Sequence, residues 1–143
     1  MKPLGEFYRL AEQENITVDF FPLQSREALS VMDERGRCFV AIDPGRLRDE
    51  PDERVKLAHE LGHCMTGAFY NRYADCDCRR RHENKADKWA VCQIVTEDAL
   101  DEAVAEGCVT LWELAEHFGV SEPFMKKAVC WYTYGNLADE LYF

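Results

Sequence analysis

The chain has 143 residues, the size of a single domain that can bury a core without help from a metal or disulfides. Its hydrophobic fraction of 47% and charged fraction of 31% are typical of a soluble globular protein. The net charge of −10 opposes electrostatic binding to nucleic acid or to an anionic membrane, because both would repel the chain.

The sequence shows no targeting or membrane segment. Residues 1–14 lack the apolar run of a signal peptide, and no later stretch approaches the length of a membrane span. We therefore expect a cytoplasmic protein whose seven cysteines are reduced thiols, mostly core fillers such as Cys64 and Cys92. A catalytic role for Cys64 lacks support, because its side chain would point to a different side of the helix from that of His63.

The first third of the chain predicts one helix followed by a small sheet. Residues 3–15 carry apolar side chains at mostly helical spacings, whereas residues 16–21 alternate as in a strand. Residues 37–42 are again rich in strand formers, and residues 28–32 are a weaker candidate strand. A turn at residues 33–36 can join these two as a hairpin. We predict an α+β fold in which a small mixed or antiparallel sheet packs on a helical core.

The next helix contains the motif HELGH. Residues 51–53 fit its first turn, with an Asx-type cap and acids near the positive end of the helix dipole, and Gly67 fits its end. His59 and His63 are four residues apart, so they lie about 40° apart around the axis and one turn along it. Both imidazoles can therefore reach one metal ion, and zinc suits them. Glu60 lies roughly 100° round the helix from His59, where its carboxylate can act as a base toward water beside the metal.

A catalytic zinc takes three protein ligands and keeps one position open, so a third ligand is required. A helix predicted to begin near Arg79 carries Glu83, and Asp87 follows one turn later on the same face. Such a pair can supply one metal ligand and one acceptor for the N–H of a ligating histidine. HExxH followed by ExxxD on a separate helix resembles the gluzincin metallopeptidases. The motif HExxHxxGxxH is excluded, since Thr66 and Phe69 stand where it requires glycine and histidine.

Other side chains near Glu83 compete for the role of third ligand. They are His82, Asp75, Cys76, Asp77 and Cys78. We interpret the two cysteines as a loop feature, because a tetrahedral structural site would need partners that the sequence does not offer. The basic run at residues 79–81 lies beside the predicted ligand helix, where it could favour an acidic segment of a substrate.

Capping signals predict helices in the C-terminal third. The signals are Thr96, Thr110 with Glu113 as a capping box, and Ser121 with Pro123 in the first turn. The last two helices, joined by a glycine-containing turn, look like a helix-turn-helix. The second offers only two lysines in an acidic chain, so we interpret the pair as a packing or partner-docking unit rather than a DNA reader.

We predict a single domain over residues 1–143. It comprises a catalytic core of about 1–107, helix-turn-helix-like helices at about 108–135, and a tail at 136–143 that docks on the domain or a partner, or frays.

The order of these elements resembles the ImmA/IrrE family of zinc metallopeptidases over nearly the whole chain. The strongest markers are AHELGH at residues 58–63 and ENKAD at residues 83–87. The resemblance implies a zincin-like core with one zinc per chain, with His59, His63 and Glu83 as metal ligands and Glu60 as the catalytic acid. Asp87 stands where many members have asparagine, and its expected role is to hold a ligating histidine.

The resemblance also implies a substrate. Family members typically cleave a helix-turn-helix transcriptional repressor encoded beside them, which induces genes of a phage, a mobile element or a stress response. Three residues are candidates for stabilising the oxyanion of the reaction, namely Tyr70, Tyr73 and His82. The alternative is a non-catalytic zinc-stabilised module that binds a partner or DNA. A purely structural zinc site has no need of Glu60, which argues against that alternative.

Overall fold

The computed structural model describes residues 2–71 and 73–135. These residues form the helices α1 (Leu4–Gln13), α2 (Glu50–Thr66), α3 (Cys76–Ile94), α4 (Glu97–Ala105), α5 (Leu111–Phe118) and α6 (Glu122–Tyr134), and the strands β1 (Thr17–Phe20), β2 (Ala28–Met32) and β3 (Cys38–Ile42). The α+β class predicted from the sequence is confirmed.

The sheet is mixed, with the strand order β1-β3-β2. Strand β1 runs parallel to β3, with Thr17 opposite Phe39, and β2 runs antiparallel to β3, with Ala28 opposite Ile42. The predicted turn between β2 and β3 is present, because the Asp33 carboxylate accepts hydrogen bonds from two backbone N–H groups of the turn at 2.9 Å each. This hairpin places β2 at one edge of the sheet.

Strand β3 and helices α1 and α2 build the core beneath the sheet. The largest fully buried side chains of this part are Phe7 on α1, Val40 and Ile42 on β3, and Leu57 and Leu61 on α2. Helix α2 contacts α1 and both β2 and β3. The helix that carries the HELGH motif is thus fixed on two sides by apolar packing.

Two helix starts lie earlier in the chain than predicted. The cap of α2 is Asp49, whose carboxylate accepts a hydrogen bond from the Asp52 N–H at 2.9 Å, so the helix begins at Glu50. Helix α3 begins at Cys76 rather than near Arg79, because Asp75 accepts from the Cys78 N–H at 2.7 Å. The prediction that both cysteines lie in a loop is therefore wrong, since they belong to the first turn of α3.

The prediction that Cys64 and Cys92 fill the core is also wrong. Cys92 is exposed and Cys64 is half-buried, whereas Cys38 and Cys130 are the buried thiols. Ala90, Val91 and Ile94 on α3 are buried, whereas position 92 points away from the core.

The capping signals of the C-terminal helices are confirmed. Thr96 caps α4, Ser121 caps α6, and Thr110 forms a capping box with Glu113 on α5. Helices α5 and α6 are joined by a turn at Gly119 and pack on each other through their buried faces, so the pair is helix-turn-helix-like. The buried side chains of this pair are Leu114, Ala115, Phe118, Phe124, Met125, Ala128 and Cys130.

The chain contacts divide the described residues into two compact units. Residues 2–90 form the N-terminal unit and residues 91–135 form the C-terminal unit. The division at about residue 107 that we drew from the sequence stays a prediction, and the tail at 136–143 lies outside the described residues. No helix in the described ranges combines the length and the apolar character that crossing a bilayer requires.

A glycine allows α2 and α3 to cross closely. A Cβ atom on Gly62 would lie 2.6 Å from the Ala86 backbone oxygen and 3.0 Å from the Ala86 Cα. Backbone atoms cannot move aside as the end of a flexible side chain can, so only glycine fits here. Gly62 lies beside His63, and Ala86 lies beside Asp87. The close crossing therefore brings the two predicted motifs together.

Replacement of Gly62 by alanine should lower the free energy of unfolding by about 1 to 3 kcal/mol, because the added methyl group pushes α3 away. Chemical denaturation measures this change. The control is Gly5→Ala on α1, where nothing lies within 4 Å of the added Cβ and alanine favours the helix. A Gly62→Ala chain as stable as the wild type would show that the helices do not approach this closely.

Candidate metal centre

Three side chains from α2 and α3 converge on one point in the N-terminal unit. One ligand atom from each of His59, His63 and Glu83 lies within 4.8 Å of the others. Glu83 Oε2 is 2.8 Å from His59 Nε2 and 3.3 Å from His63 Nε2. These are the residues that the sequence singled out, and they belong to helices that only the fold brings together.

Both imidazoles are oriented by hydrogen bonds on their other nitrogen. His59 Nδ1 donates to the Asp87 carboxylate at 2.7 Å, and His63 Nδ1 donates to the Ala68 carbonyl oxygen at 2.5 Å. Because Nδ1 donates in each ring, Nε2 is the atom that points at the shared point, and its lone pair becomes available to a metal when it gives up its proton. Asp87 therefore occupies the position expected from the sequence, next to a candidate ligand.

The Ala68 carbonyl is a contribution that sequence reasoning missed. Gly67 ends α2 in the left-handed conformation with φ of 68°, and the chain then turns back on the helix. The Ala68 N–H donates to the His63 carbonyl at 3.1 Å, while its own carbonyl accepts from the His63 ring. The glycine after the HELGH helix was the signal for this turn in the sequence. No sequence feature indicated that the Ala68 carbonyl would accept the hydrogen bond from His63.

The three converging groups shift one another's pKa values. Burial lowers the pKa of His59, but hydrogen bonds to Asp87 and Glu83 more than offset it and raise the value to about 10. His63 follows the same pattern. Burial lowers its pKa, but hydrogen bonds to Glu83 and to the Ala68 carbonyl raise it to a value above the usual one. Burial would raise the pKa of Glu83, yet hydrogen bonds from His59, His63 and Tyr70 hold it well below its usual range.

These observations fit a divalent metal ion. Two imidazole nitrogens and one carboxylate oxygen form the donor set of many catalytic zinc sites, which leave a further position open. A cation bound among them would replace the ring protons that now neutralise Glu83, so the charge of the cluster would stay balanced. Oriented histidines with a carboxylate partner are also the usual surroundings of such a metal.

Glu60 lies in a cleft beside the cluster. The cleft has a volume of about 560 Å³ and is lined by His59, Glu60, Tyr70 and Glu83 together with Arg26 and Lys56. The Glu60 residue is only 8% exposed. A neighbouring cavity of about 160 Å³ shares Glu60 and adds residues 29–31 of β2. Glu60 thus lines both cavities next to the cluster.

Tyr70 completes the hydrogen bonding of Glu83. Its hydroxyl donates to Glu83 Oε1 at 2.7 Å, so both carboxylate oxygens have partners. Burial and this hydrogen bond raise the pKa of Tyr70, and Arg26 acts in the opposite direction. The Tyr70 ring stacks on that of His82 with centroids 6.2 Å apart and planes 6° apart. Arg26 stands on a loop without any motif, so no signal in the sequence could have identified it.

The remaining candidates from the sequence lie away from the cluster. Neither His82 nitrogen is part of it, and both are buried without a hydrogen-bond partner among the described residues. Tyr73 is 80% exposed. The alternative ligands at residues 75–78 form the start of α3, and the three-residue cluster contains none of them. Burial and a hydrogen bond with Cys38 raise the pKa of the Cys64 thiol, which keeps it protonated.

Comparison with known proteins agrees with this geometry. The family model of peptidase M78, described as the IrrE N-terminal-like domain, matches residues 11–129. The matched range covers well over half of the chain and includes every residue of the cluster. A search of curated protein sequences gives no significant match.

Proposed function

This chain belongs to the peptidase M78 family of the IrrE N-terminal-like domain, and from that premise we propose that it is a zinc-dependent endopeptidase. One observation carries the proposal. The Nε2 atoms of His59 and His63 and an oxygen of Glu83 converge beside the Glu60 carboxylate in an open cleft. A protein substrate follows from the peptidase family, and zinc follows from the donor set.

In this proposal His59, His63 and Glu83 hold the zinc, and Asp87 and the Ala68 carbonyl keep the two imidazoles in position. When bound, zinc supplies Lewis-acid chemistry that polarises a carbonyl group and lowers the pKa of water toward neutrality. The HELGH motif needs its helix for this purpose, because one turn of α2 separates the two histidines.

Glu60 is the proposed general base. Its carboxylate accepts a proton from the attacking water and then delivers it to the nitrogen of the departing amine. The residue follows His59 directly on α2 and lines the cleft, which supports this role for its carboxylate. Its low exposure of 8% excludes much of the bulk water that would compete for the proton.

Tyr70 is the proposed donor to the carbonyl oxygen of the scissile peptide as that oxygen gains negative charge. Its hydroxyl already lies beside the cluster, and stacking on His82 fixes the ring. The hydroxyl has one proton, so in this proposal its O–H turns from Glu83 Oε1 to the substrate oxygen as charge develops, while the ring stays in place. Among the candidates from the sequence, only Tyr70 lines the cleft with its hydroxyl at Glu83.

The proposed substrate is a helix-turn-helix transcriptional repressor of a phage or mobile element. This part of the proposal is supported by the family membership and by the resemblance of the sequence motifs, and it implies that the enzyme acts in the cytoplasm. The non-catalytic binding module is less well supported, because such a module has no use for Glu60 at the edge of a cleft beside two histidines.

Metal binding is the first prediction from the proposed function. The purified wild-type chain should hold about one zinc ion, and Glu83→Ala should lower zinc affinity by at least roughly 100-fold because it removes a direct ligand. Elemental mass spectrometry and a competing chelator measure occupancy and affinity. The matched control is Asp77→Ala at the start of the same helix, which should bind zinc as the wild type does. Zinc binding indifferent to Glu83 would rule out the proposed site.

Loss of the general base is the second prediction. Glu60→Gln should keep its zinc and cleave the helix-turn-helix protein encoded beside this chain about 100 to 10,000 times more slowly. His63→Ala should lose zinc and cleavage together. Gel electrophoresis with mass spectrometry of the fragments gives the rate and the cleaved bond. A Glu60→Gln chain with full activity would contradict the role of Glu60.

The Tyr70 hydroxyl gives the third prediction. Tyr70→Phe should reduce kcat by roughly 100-fold while zinc occupancy and the KM stay near their wild-type values, because the hydroxyl acts mainly as charge develops. Steady-state kinetics and metal analysis of the same sample separate the effects. Loss of zinc from Tyr70→Phe, with normal kcat after zinc is restored, would show that Tyr70 only positions Glu83.

A further inference from the structure

The C-terminal unit exposes a group of large apolar side chains where α4 is followed by α5. We call residues 104–116 the α4–α5 corner. Val109 is 74% exposed, Trp112 is 61% exposed and Val104 is 47% exposed. Val109 and Trp112 are only three residues apart in the chain, so their side chains lie within reach of one partner surface. Apolar exposure of this extent is unusual for a tryptophan and marks a candidate interaction surface.

The backbone that carries Val109 is fixed by the cap of α5. Glu113 accepts hydrogen bonds from the Val109 N–H at 2.8 Å and the Thr110 N–H at 3.2 Å. An apolar residue just before a cap usually packs on the fourth residue of the helix, which here is Leu114. Leu114 is buried at 7% exposure, and Val109 stays outside. The capping box thus fixes the backbone while leaving the Val109 side chain uncovered.

The same region carries charge of only one sign. Residues 89–125 contain eight aspartates and glutamates and neither lysine nor arginine. Glu116 lies one turn after Trp112 on the exposed side of α5, and Asp101 lies one turn before Val104 on α4. The exposed apolar groups are therefore rimmed by acids, so a partner must combine an apolar centre with a basic rim.

That charge pattern excludes other occupants. A second copy of this chain that docked through the same corner would place acids against acids, and nucleic acid or an anionic membrane would be repelled likewise. Residues 136–143 contain two acids and no base, so they carry the wrong charge as well. A DNA-binding repressor, in contrast, needs a basic surface to bind phosphates.

We propose that the α4–α5 corner is a docking surface for the basic DNA-binding domain of the repressor substrate, with Trp112 as its apolar anchor. The proposal rests on the proposed function for the identity of the partner. Tryptophan is among the residues that contribute most to binding when a partner covers them, and surrounding acids steer a basic partner toward contact. Docking here adds affinity for the whole repressor beyond that of the peptide in the cleft.

The test compares the whole repressor with a short peptide. The repressor is the helix-turn-helix protein encoded beside this chain, and the peptide spans the bond cleaved in it. Trp112→Ala should raise the KM for the repressor by about tenfold or more and leave the kinetics on the peptide unchanged. Asp101→Lys with Glu116→Lys should also raise the KM for the repressor, and should weaken its dependence on salt.

Matched variants separate docking from general effects. Phe21→Ala removes another aromatic side chain, 47% exposed, from the N-terminal unit. Glu12→Lys with Glu34→Lys changes the net charge by the same amount as the double variant of the corner. Neither control should alter the KM for the repressor. Repressor binding to the Glu60→Gln chain, with and without Trp112→Ala, is measured by calorimetry and requires no cleavage.

The outcomes are distinct. A KM and an affinity that change only in the corner variants would support docking. If the corner variants left the KM and the affinity for the repressor unchanged, the docking proposal would be overturned. The same holds if the peptide kinetics or the control variants showed equal losses. Neither result would affect the proposed peptidase activity. Self-association of the wild type that Trp112→Ala abolishes in sedimentation would assign the corner to a second copy instead. Failure of the wild type to cleave either substrate would count against the proposed function, and the calorimetry would still decide the docking.

Discussion

The close crossing of α2 and α3 is the constraint on which the rest of the structure depends. At Gly62 the backbone of α3 approaches so near that no side chain fits between the helices. Because His63 and Asp87 are the immediate neighbours of the two residues in contact, this spacing decides whether an imidazole of one helix reaches a carboxylate of the other. The apolar packing of α2 on α1 and the sheet then holds that helix in place. The two motifs are thus joined by a backbone contact as well as by polar interactions.

Around this crossing, each candidate ligand is held by a second group of a different kind. A carboxylate orients His59, a backbone carbonyl orients His63, and a phenol hydroxyl binds the outer oxygen of Glu83. The three supports come from α3, from the turn after α2 and from the following loop. A side chain restrained at both ends loses little further freedom when it binds a ligand, so the site is organised for binding at low entropic cost.

Much of this could be predicted from the sequence, because the decisive signals are local. The spacing of His59 and His63 has meaning only on a helix, and capping residues such as Thr110 mark helix ends through hydrogen bonds within four residues. Contributions from turns and loops that fold back onto the site could not be predicted. The Ala68 carbonyl carries no side-chain signature, and Arg26 reaches the cleft from a loop without a motif. Cys92 was misassigned for a related reason, since apolar character alone does not tell which face of a helix is buried.

The turn after α2 constrains residues 67 and 68 in different ways. The Ala68 backbone makes two hydrogen bonds to His63, one through its N–H and one through its carbonyl, and neither uses the Ala68 side chain. Residue 68 is therefore free to vary among small apolar residues that fit its buried position without disturbing the imidazole. Residue 67 has no such freedom, because its positive φ penalises any side chain. Across related chains, position 68 should vary among small apolar residues, whereas position 67 should stay glycine.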